Sequence, residues 1–356
     1  MCLQVSPGIN ALSKAKRQRL RRLSGSNGVI GALAMDQRKS LRRLMAAAAG
    51  VSLEQIPDSH LAEFKIAVAA VLSPHASAIL LDTEYGLRAA AQRDSSCGLL
   101  LAYEMDGYEN PRPHRMPALM PDLSAQRLME SGADGVKLLL HFSPDDPAGA
   151  NTQKFAAVER IGAECEAVGL PFFLEPLLYD PSQPLVQSGL SPRERQEQAF
   201  AFAQRKPQLV VDLMQEFSRE RYRVDILKVE FPVVATFVEE SATFSGHAAY
   251  SMGEALQWYR LADQAAGKPY IYLSAGVSSA EFIESLRLAT AAEAHFCGVL
   301  CGRAHWQEGA GAFAAGGVPG LVAWLETKGI ENMQAVNRAI VRATPWDHFA
   351  PARQAD

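Results

Sequence analysis

Lys228 lies in the run Asp-Ile-Leu-Lys-Val-Glu-Phe-Pro-Val, 225–233, among apolar neighbours. An amine held in such a run is desolvated, which favours its neutral form. Neutral amine is the form that attacks a ketone to make an imine. A nearby cation would strengthen that bias, and Lys137 offers one from Gly-Val-Lys-Leu-Leu-Leu-His, 135–141. Glu175, in Pro-Phe-Phe-Leu-Glu-Pro-Leu-Leu, 171–178, supplies a carboxylate to shuttle protons for carbinolamine dehydration and carbon–carbon cleavage. Further charged residues stand in or beside short apolar runs: Asp36, Asp82, Glu84, Glu104, Glu230 and Arg303. Burying a charge is costly unless it is paired, so a series of them points to a polar site at one end of a shared scaffold. Two alternatives stay open on the residues alone. Side chains alternate along a strand, so Lys228 and Glu230 share a face and could form a plain ion pair; and Lys137 could be the imine-forming amine.

The elements that must position these residues follow from hydrophobic patterning. Eight short, nearly continuous apolar runs occupy 29–36, 76–82, 97–104, 135–141, 171–178, 225–233, 269–276 and 296–302. Such runs read as strands buried on both faces. Between them apolar residues recur at helical spacing, as in Phe282, Leu286, Leu288 and Ala292. Strand and helix in alternation imply right-handed βαβ units and a parallel sheet. Eight units predict a single α/β domain over 1–356, a closed (β/α)8 (TIM) barrel: an N-terminal helix at about 10–24, the barrel at about 29–325 and a C-terminal helix at about 330–349. An open doubly wound sheet would want a glycine fingerprint after its first strand, and Ala34-Met35-Asp36-Gln37-Arg38 has no glycine. A G-x-G-x-x-A match at Gly309, Gly311 and Ala314 has no strand after it and reads as helix.

Barrel enzymes work at the C-terminal ends of their strands and often hold phosphate on the loops after strands seven and eight. Those two runs end Ser274-Ala275-Gly276 and Cys301-Gly302-Arg303. Glycine lets backbone N–H groups approach an anion, and a guanidinium fork matches phosphate oxygens. The stretches 106–121 and 237–249 read as long loops at the same end.

Bulk properties exclude other classes. A net charge of −4 gives no basic field for nucleic acid. No apolar run approaches the roughly 18 residues of a membrane span. Five cysteines, an odd number with no C-x-x-C pair, predict a reducing cytoplasm rather than a disulfide scaffold. Eight histidines form none of the familiar ligand spacings, so neither a metal nor another cofactor is expected, although His141 ends a strand and could join the site. The basic N-terminal stretch, with Leu12, Leu20 and Leu23 at helical spacing, predicts an amphipathic helix packed on the barrel rather than a signal peptide.

At these residues the chain resembles the tagatose 1,6-bisphosphate aldolases, class I lyases of bacterial galactose and lactose breakdown. The resemblance runs from about residue 20 to 349. Its blocks are ALAMDQRKSLRRLM from Ala32, SAILLDTEYGL from Ser77, GLLLAYE from Gly98, GADGVKLLL from Gly132, PFFLEPLLY from Pro171, DILKVEFPV from Asp225, PYIYLSAGVS from Pro269 and GVLCGRAHW from Gly298. It implies a TIM barrel with Lys228 as the imine lysine and Asp36, Lys137 and Glu175 beside it. It also implies Gln37 in the site and phosphate held by Arg303 and backbone near Leu300 and Ser274, beside Gly276 and Gly302 of the two strand ends already read as an anion site; Gln37 and Arg38 are candidates near the other end of the substrate. The implied reaction is reversible cleavage of a ketohexose 1,6-bisphosphate, D-tagatose 1,6-bisphosphate first, to dihydroxyacetone phosphate and glyceraldehyde 3-phosphate. The expected partners are the sugar phosphate and, as a homodimer, a second copy of the chain.

Some features depart from that family. The N-terminus is longer by about ten residues, and 180–195 and 309–320 carry extra sequence. Glu175-Pro176 and the Ala-rich 45–50 resemble the sulfofructose-phosphate aldolases instead, whereas the length of 237–249 fits the tagatose group. A sulfofructose-phosphate aldolase is therefore the alternative reading. A non-catalytic barrel with a regulatory role is a third, against which the intact Lys137, Glu175 and Lys228 weigh.

Overall fold

The computed structural model describes residues 12–105, 110–182 and 191–350. Eight strands, β1 (Ile30–Met35), β2 (Ala78–Leu81), β3 (Gly98–Ala102), β4 (Gly135–Phe142), β5 (Phe172–Leu178), β6 (Ile226–Val229), β7 (Tyr270–Tyr272) and β8 (Gly298–Cys301), pair in chain order as a closed barrel. Every pairing is parallel, and β8 closes on β1 with Ile30 opposite Gly298. Gly298 is required at that seam: its φ is +132°, and a Cβ there would fall 2.0 Å from the Ile30 carbonyl oxygen. The expected α/β barrel is the observed one.

Helices surround the sheet: α1 (Lys14–Leu23), α2 (Lys39–Ala49), α3 (Asp58–Leu72), α4 (Leu87–Ala90), α5 (Ala125–Glu130), α6 (Ala148–Val168), α7 (Pro192–Phe217), α8 (Met252–Ala265), α9 (Ser279–Ala291), α10 (Arg303–Trp306), α11 (Gly309–Trp324) and α12 (Ile330–Ala339). Capping boxes start three of them, Ser191 with Glu194, Ser251 with Glu254 and Ser278 with Glu281, each satisfying first-turn N–H groups. None of the described helices is long and apolar enough to cross a membrane.

The observed strands stop short of the apolar runs at their C-terminal ends. Asp36, Asp82, Glu104, Ser274 and Arg303 all fall just past the last ladder residue, on the rim where side chains turn over the barrel mouth. The ladder from β5 to β6 ends at Leu174 opposite Leu227, before Pro176, which has no N–H to donate.

The basic N-terminal helix finds its purpose at the opposite end. Leu20 and Leu23 are fully buried beneath the barrel. Lys16 Nζ meets Asp225 Oδ2 at 2.6 Å just before β6, and Arg22 meets Asp134 at 2.8 Å just before β4. The Asp225 carboxylate also accepts from the Phe172 N–H, so the buried charge is doubly compensated. Residues 1–11, including Cys2 and the first part of the predicted helix, lie outside the described residues.

One boundary differs from the sequence expectation. The C-terminal helix ends at Ala339 rather than near 349; Pro345 disfavours helix before it, and a short turn at Trp346–His348 follows. Trp346 is buried, its N–H bonded to the Gly28 carbonyl, so this tail packs under the barrel. The extra sequence 309–320 joins α11, which bends where Gly317 takes φ 59° ahead of Pro319.

Candidate active site

Lys137, Glu175 and Lys228 come together inside the barrel. Glu175 takes one lysine on each carboxylate oxygen: Lys228 Nζ lies 2.8 Å from Oε1 and Lys137 Nζ 2.8 Å from Oε2. Lys137 Nζ also meets Asp36 Oδ2 at 2.8 Å and Glu104 Oε1 at 2.6 Å. The side chains of Lys137 and Glu175 are 0% exposed and that of Lys228 is 3% exposed. Strand register explains the meeting. Lys137 pairs with Phe173 and Leu139 with Glu175, so 137 and 139 on β4 share the inward face with 173 and 175 on β5. On β6, Ile226 pairs with Phe173, which points Lys228 inward as well.

The cluster holds three carboxylates and two lysines. Burial by itself would raise both the Asp36 and Glu175 carboxyls. The charges of Lys137 and Lys228 outweigh it and hold both below the ordinary carboxylate range. Both are therefore bases at neutral pH. Glu175 is the carboxylate that touches Lys228; Asp36 reaches it only through Lys137.

The phosphate-binding residues expected on strands seven and eight also meet. A Cβ on Gly276 would fall 2.5 Å from Arg303 Cζ, so the guanidinium lies directly against that glycine's backbone. Gly276 has φ +83°, a left-handed conformation that glycine tolerates easily, and Ala275 before it has φ 49°. Gly302 is as confined, since a Cβ there would meet the Ala34 carbonyl oxygen at 2.2 Å. Ser274 and Leu300 are buried beside this rim. Gln37 is buried with its Oε1 lacking any hydrogen-bond partner among the described residues. A buried carbonyl left unpaired costs about 1–3 kcal/mol, which a substrate hydroxyl would recover.

Several charged residues of the strand series go elsewhere. Glu230 is not the partner of Lys228: β6 ends at Val229, and Glu230 instead pairs with Lys206 of α7 at 3.1 Å and accepts from the Leu178 N–H. Asp82 turns away to Lys65 of α3, a residue that sequence reasoning missed because it sits on an ordinary helical repeat. Lys65 Nζ also donates to the carbonyls of Met35 and Gln37, at 2.7 and 2.8 Å, and so clamps the backbone on either side of Asp36. Glu84 is half-exposed. Arg38 donates to the Glu104 carbonyl at 2.8 Å and lies 3.7 Å from Glu84. Glu104 was visible as a strand-end charge, but its membership of the lysine cluster was not. His141 lies two inward positions beyond Lys137 and packs edge-on against Tyr179.

Among the described residues no group of three His, Cys, Asp or Glu side chains is arranged to hold a metal ion.

Comparison with known proteins bears on the fold and the family. The fructose-bisphosphate aldolase of Plasmodium falciparum superposes with a TM-score of 0.63 over 98% of this chain and 99% of that one, at 12% identity, a likeness of fold. The tagatose 1,6-diphosphate aldolase 1 of Enterococcus faecalis is 43% identical over 329 residues, covering 92% of this chain and 95% of its own length. The tagatose 1,6-diphosphate aldolase 2 of Streptococcus mutans is 44% identical, covering 94% and 97%. Residues 30–308, which carry every strand and the whole lysine cluster, match the model of the DeoC/LacD family aldolases. The chain belongs to the DeoC/LacD family of aldolases.

Proposed function

We propose that this aldolase is a class I enzyme that cleaves D-tagatose 1,6-bisphosphate reversibly through an imine on Lys228. The observation that carries the reading is Glu175 held between Lys137 and Lys228 at 2.8 Å from each. The activity named for relatives more than 40% identical over nearly the whole chain supports the substrate. The four described cysteines are buried and unpaired, in keeping with a reducing cytoplasm.

The chemistry follows from the contacts. Glu175 Oε1 takes a proton from the Lys228 ammonium, and the freed amine attacks the C2 ketone. Glu175 returns that proton to the C2 oxygen, then relays a second one to it from the carbinolamine nitrogen, so that the oxygen leaves as water and a protonated imine remains. That cation is the electron sink. A carboxylate of the cluster, Asp36 or Glu175, takes the C4 hydroxyl proton, the C3–C4 bond breaks, and glyceraldehyde 3-phosphate departs. The electron pair rests in an enamine on Lys228. Protonation at C3 and hydrolysis of the imine release dihydroxyacetone phosphate and restore the lysine. Lys137 stays charged throughout and balances whichever carboxylates are ionised.

The test is mass spectrometry after borohydride reduction with dihydroxyacetone phosphate. One adduct on Lys228 is expected; no adduct, or an adduct on Lys137, would overturn the assignment.

Arg303, against Gly276, is assigned to the C1 phosphate. A charge-assisted guanidinium–phosphate bond contributes roughly 1.5–3 kcal/mol. Arg303→Ala should therefore lower kcat/KM by about 10- to 200-fold, and Arg303→Lys should recover part of the loss, because a point charge lacks the fork. A ketohexose 6-phosphate, which lacks the C1 group, should lose little more. Equal losses on both substrates would remove Arg303 from that role.

A further inference from the structure

Arg115 stands over the rim of β4 and β5, opposite the β8 end that carries Arg303 in an eight-stranded ring. Its guanidinium carbon lies 4.1 Å from the ring centroid of Tyr179, the residue that follows β5. Tyr179 is itself fixed. Its ring meets His141 edge-on at 6.1 Å, and its hydroxyl bonds both oxygens of Asp146 at 2.6 and 2.8 Å. Lys154 Nζ meets the same carboxylate at 2.7 Å, and His114 Nδ1 lies 3.4 Å from it. Asp146 is thus already satisfied. Arg115, by contrast, has no carboxylate within ion-pair distance among the described residues, although it is half-buried. Burial pulls its guanidinium below the ordinary value, against the opposing influence of Tyr179 and Asp146.

The backbone that presents it is unusual. His114 has φ 52° and Arg115 φ 48°, two successive non-glycine residues in the left-handed region. Strain of this kind persists only where surrounding bonds enforce it, and it gathers at ligand clamps. Here the Arg115 N–H donates to the Arg112 carbonyl and the Asn110 side chain donates to the Met116 carbonyl, both at 2.8 Å.

Position supplies the ligand. Inward residues alternate as Lys137, Leu139, His141 on β4 and Glu175, Leu177, Tyr179 on β5. The His141–Tyr179 shelf therefore lies about 13 Å along the strands from the Lys137–Glu175 layer, at 3.3 Å per residue. Lys228 Nζ is in that inner layer, 2.8 Å from Glu175 Oε1. A ketose joined to it at C2, with its C1 phosphate toward Arg303, has four carbons and a second phosphate left to reach the opposite rim. Arg38, the other arginine near the mouth, is already bonded to the Glu104 carbonyl and faces Glu84.

We propose that Arg115, stacked on Tyr179, is the specificity residue for the distal phosphate. It receives the C6 phosphate of the ketohexose bisphosphate and, in the synthetic direction, the phosphate of glyceraldehyde 3-phosphate. The proposal rests on the bisphosphate aldolase reading above.

Its test is aldol synthesis from dihydroxyacetone phosphate with either D-glyceraldehyde 3-phosphate or D-glyceraldehyde. For Arg115→Ala, KM for the phosphorylated aldehyde should rise about tenfold or more, the scale of one charge-assisted phosphate contact. The rate with glyceraldehyde should be unchanged, and Arg115→Lys should recover part of the loss. Borohydride trapping of dihydroxyacetone phosphate should stay at the wild-type level, which shows that the fold and the imine chemistry are intact. Equal losses with both aldehydes, or none with either, would overturn the assignment. So would a phosphate-dependent loss in Arg38→Ala that Arg115→Ala does not show. Failure of the wild-type protein to trap dihydroxyacetone phosphate would overturn the imine reading instead, and this assignment with it.

Discussion

Lys228→Ala should add no dihydroxyacetone phosphate on borohydride reduction and should lose at least about 10³-fold in kcat, the scale expected when a covalent nucleophile is removed. The reason is geometric. Lys228 and Lys137 are both buried and both touch Glu175, so proximity to the proton shuttle does not separate them. Saturation does. Lys137 Nζ lies within ion-pair distance of three carboxylates, Asp36, Glu104 and Glu175, and hydrogen-bonds the first two, which commits it as their shared counter-ion. Lys228 shows a single carboxylate contact, with Glu175, and so has an amine that can be released. Lys137→Met is the informative companion. It should cripple turnover by unbalancing three buried carboxylates, yet reduction should still place an adduct on Lys228. An adduct on Lys137 in the Lys228→Ala protein would reverse the two roles.

Glu175→Gln should lower kcat by about 10²- to 10⁴-fold, the usual contribution of a positioned acid–base group. The amide keeps the volume and one acceptor but loses the charge that both lysines face. Because the two lysines hold Glu175 below the ordinary carboxylate range, it is charged at neutral pH and fit to accept the Lys228 proton. The amide does not accept it, so imine formation, dehydration and cleavage all slow together. A slow adduct should still accumulate on Lys228 over long incubation, since the nucleophile remains. The discriminating measurement is single-turnover kinetics beside trapping. A Glu175→Gln enzyme within tenfold of wild-type kcat would remove Glu175 from proton transfer and leave it a structural counter-ion.

Much of this site was legible in the sequence because its residues break a rule. Lys137, Glu175 and Lys228 interrupt apolar runs that otherwise read as barrel interior, and burying unpaired charge is too costly to occur by accident. The two-residue period of a strand then told which positions share a face. Eight such runs implied the closed parallel barrel, and the glycines and arginine ending the last two marked the anion rim. Chain order alone placed Glu175 between the two lysines.

The tertiary structure decided which strand-end charges turn inward. Glu230 shares the period of Lys228, yet β6 stops at Val229 and the carboxylate is captured by Lys206. Asp82 is drawn off by Lys65, while Glu104, no more conspicuous in the sequence, completes the shell of Lys137. Beyond the last ladder bond the backbone no longer dictates side-chain direction. The outcome there depends on which helix or loop supplies a countercharge. The same holds for Lys16 with Asp225 beneath the barrel, 209 positions apart in the chain, and for Arg115 on Tyr179 above it. Periodicity sets where a side chain points within a strand; pairing between distant elements, which only the closed barrel brings together, sets what it meets.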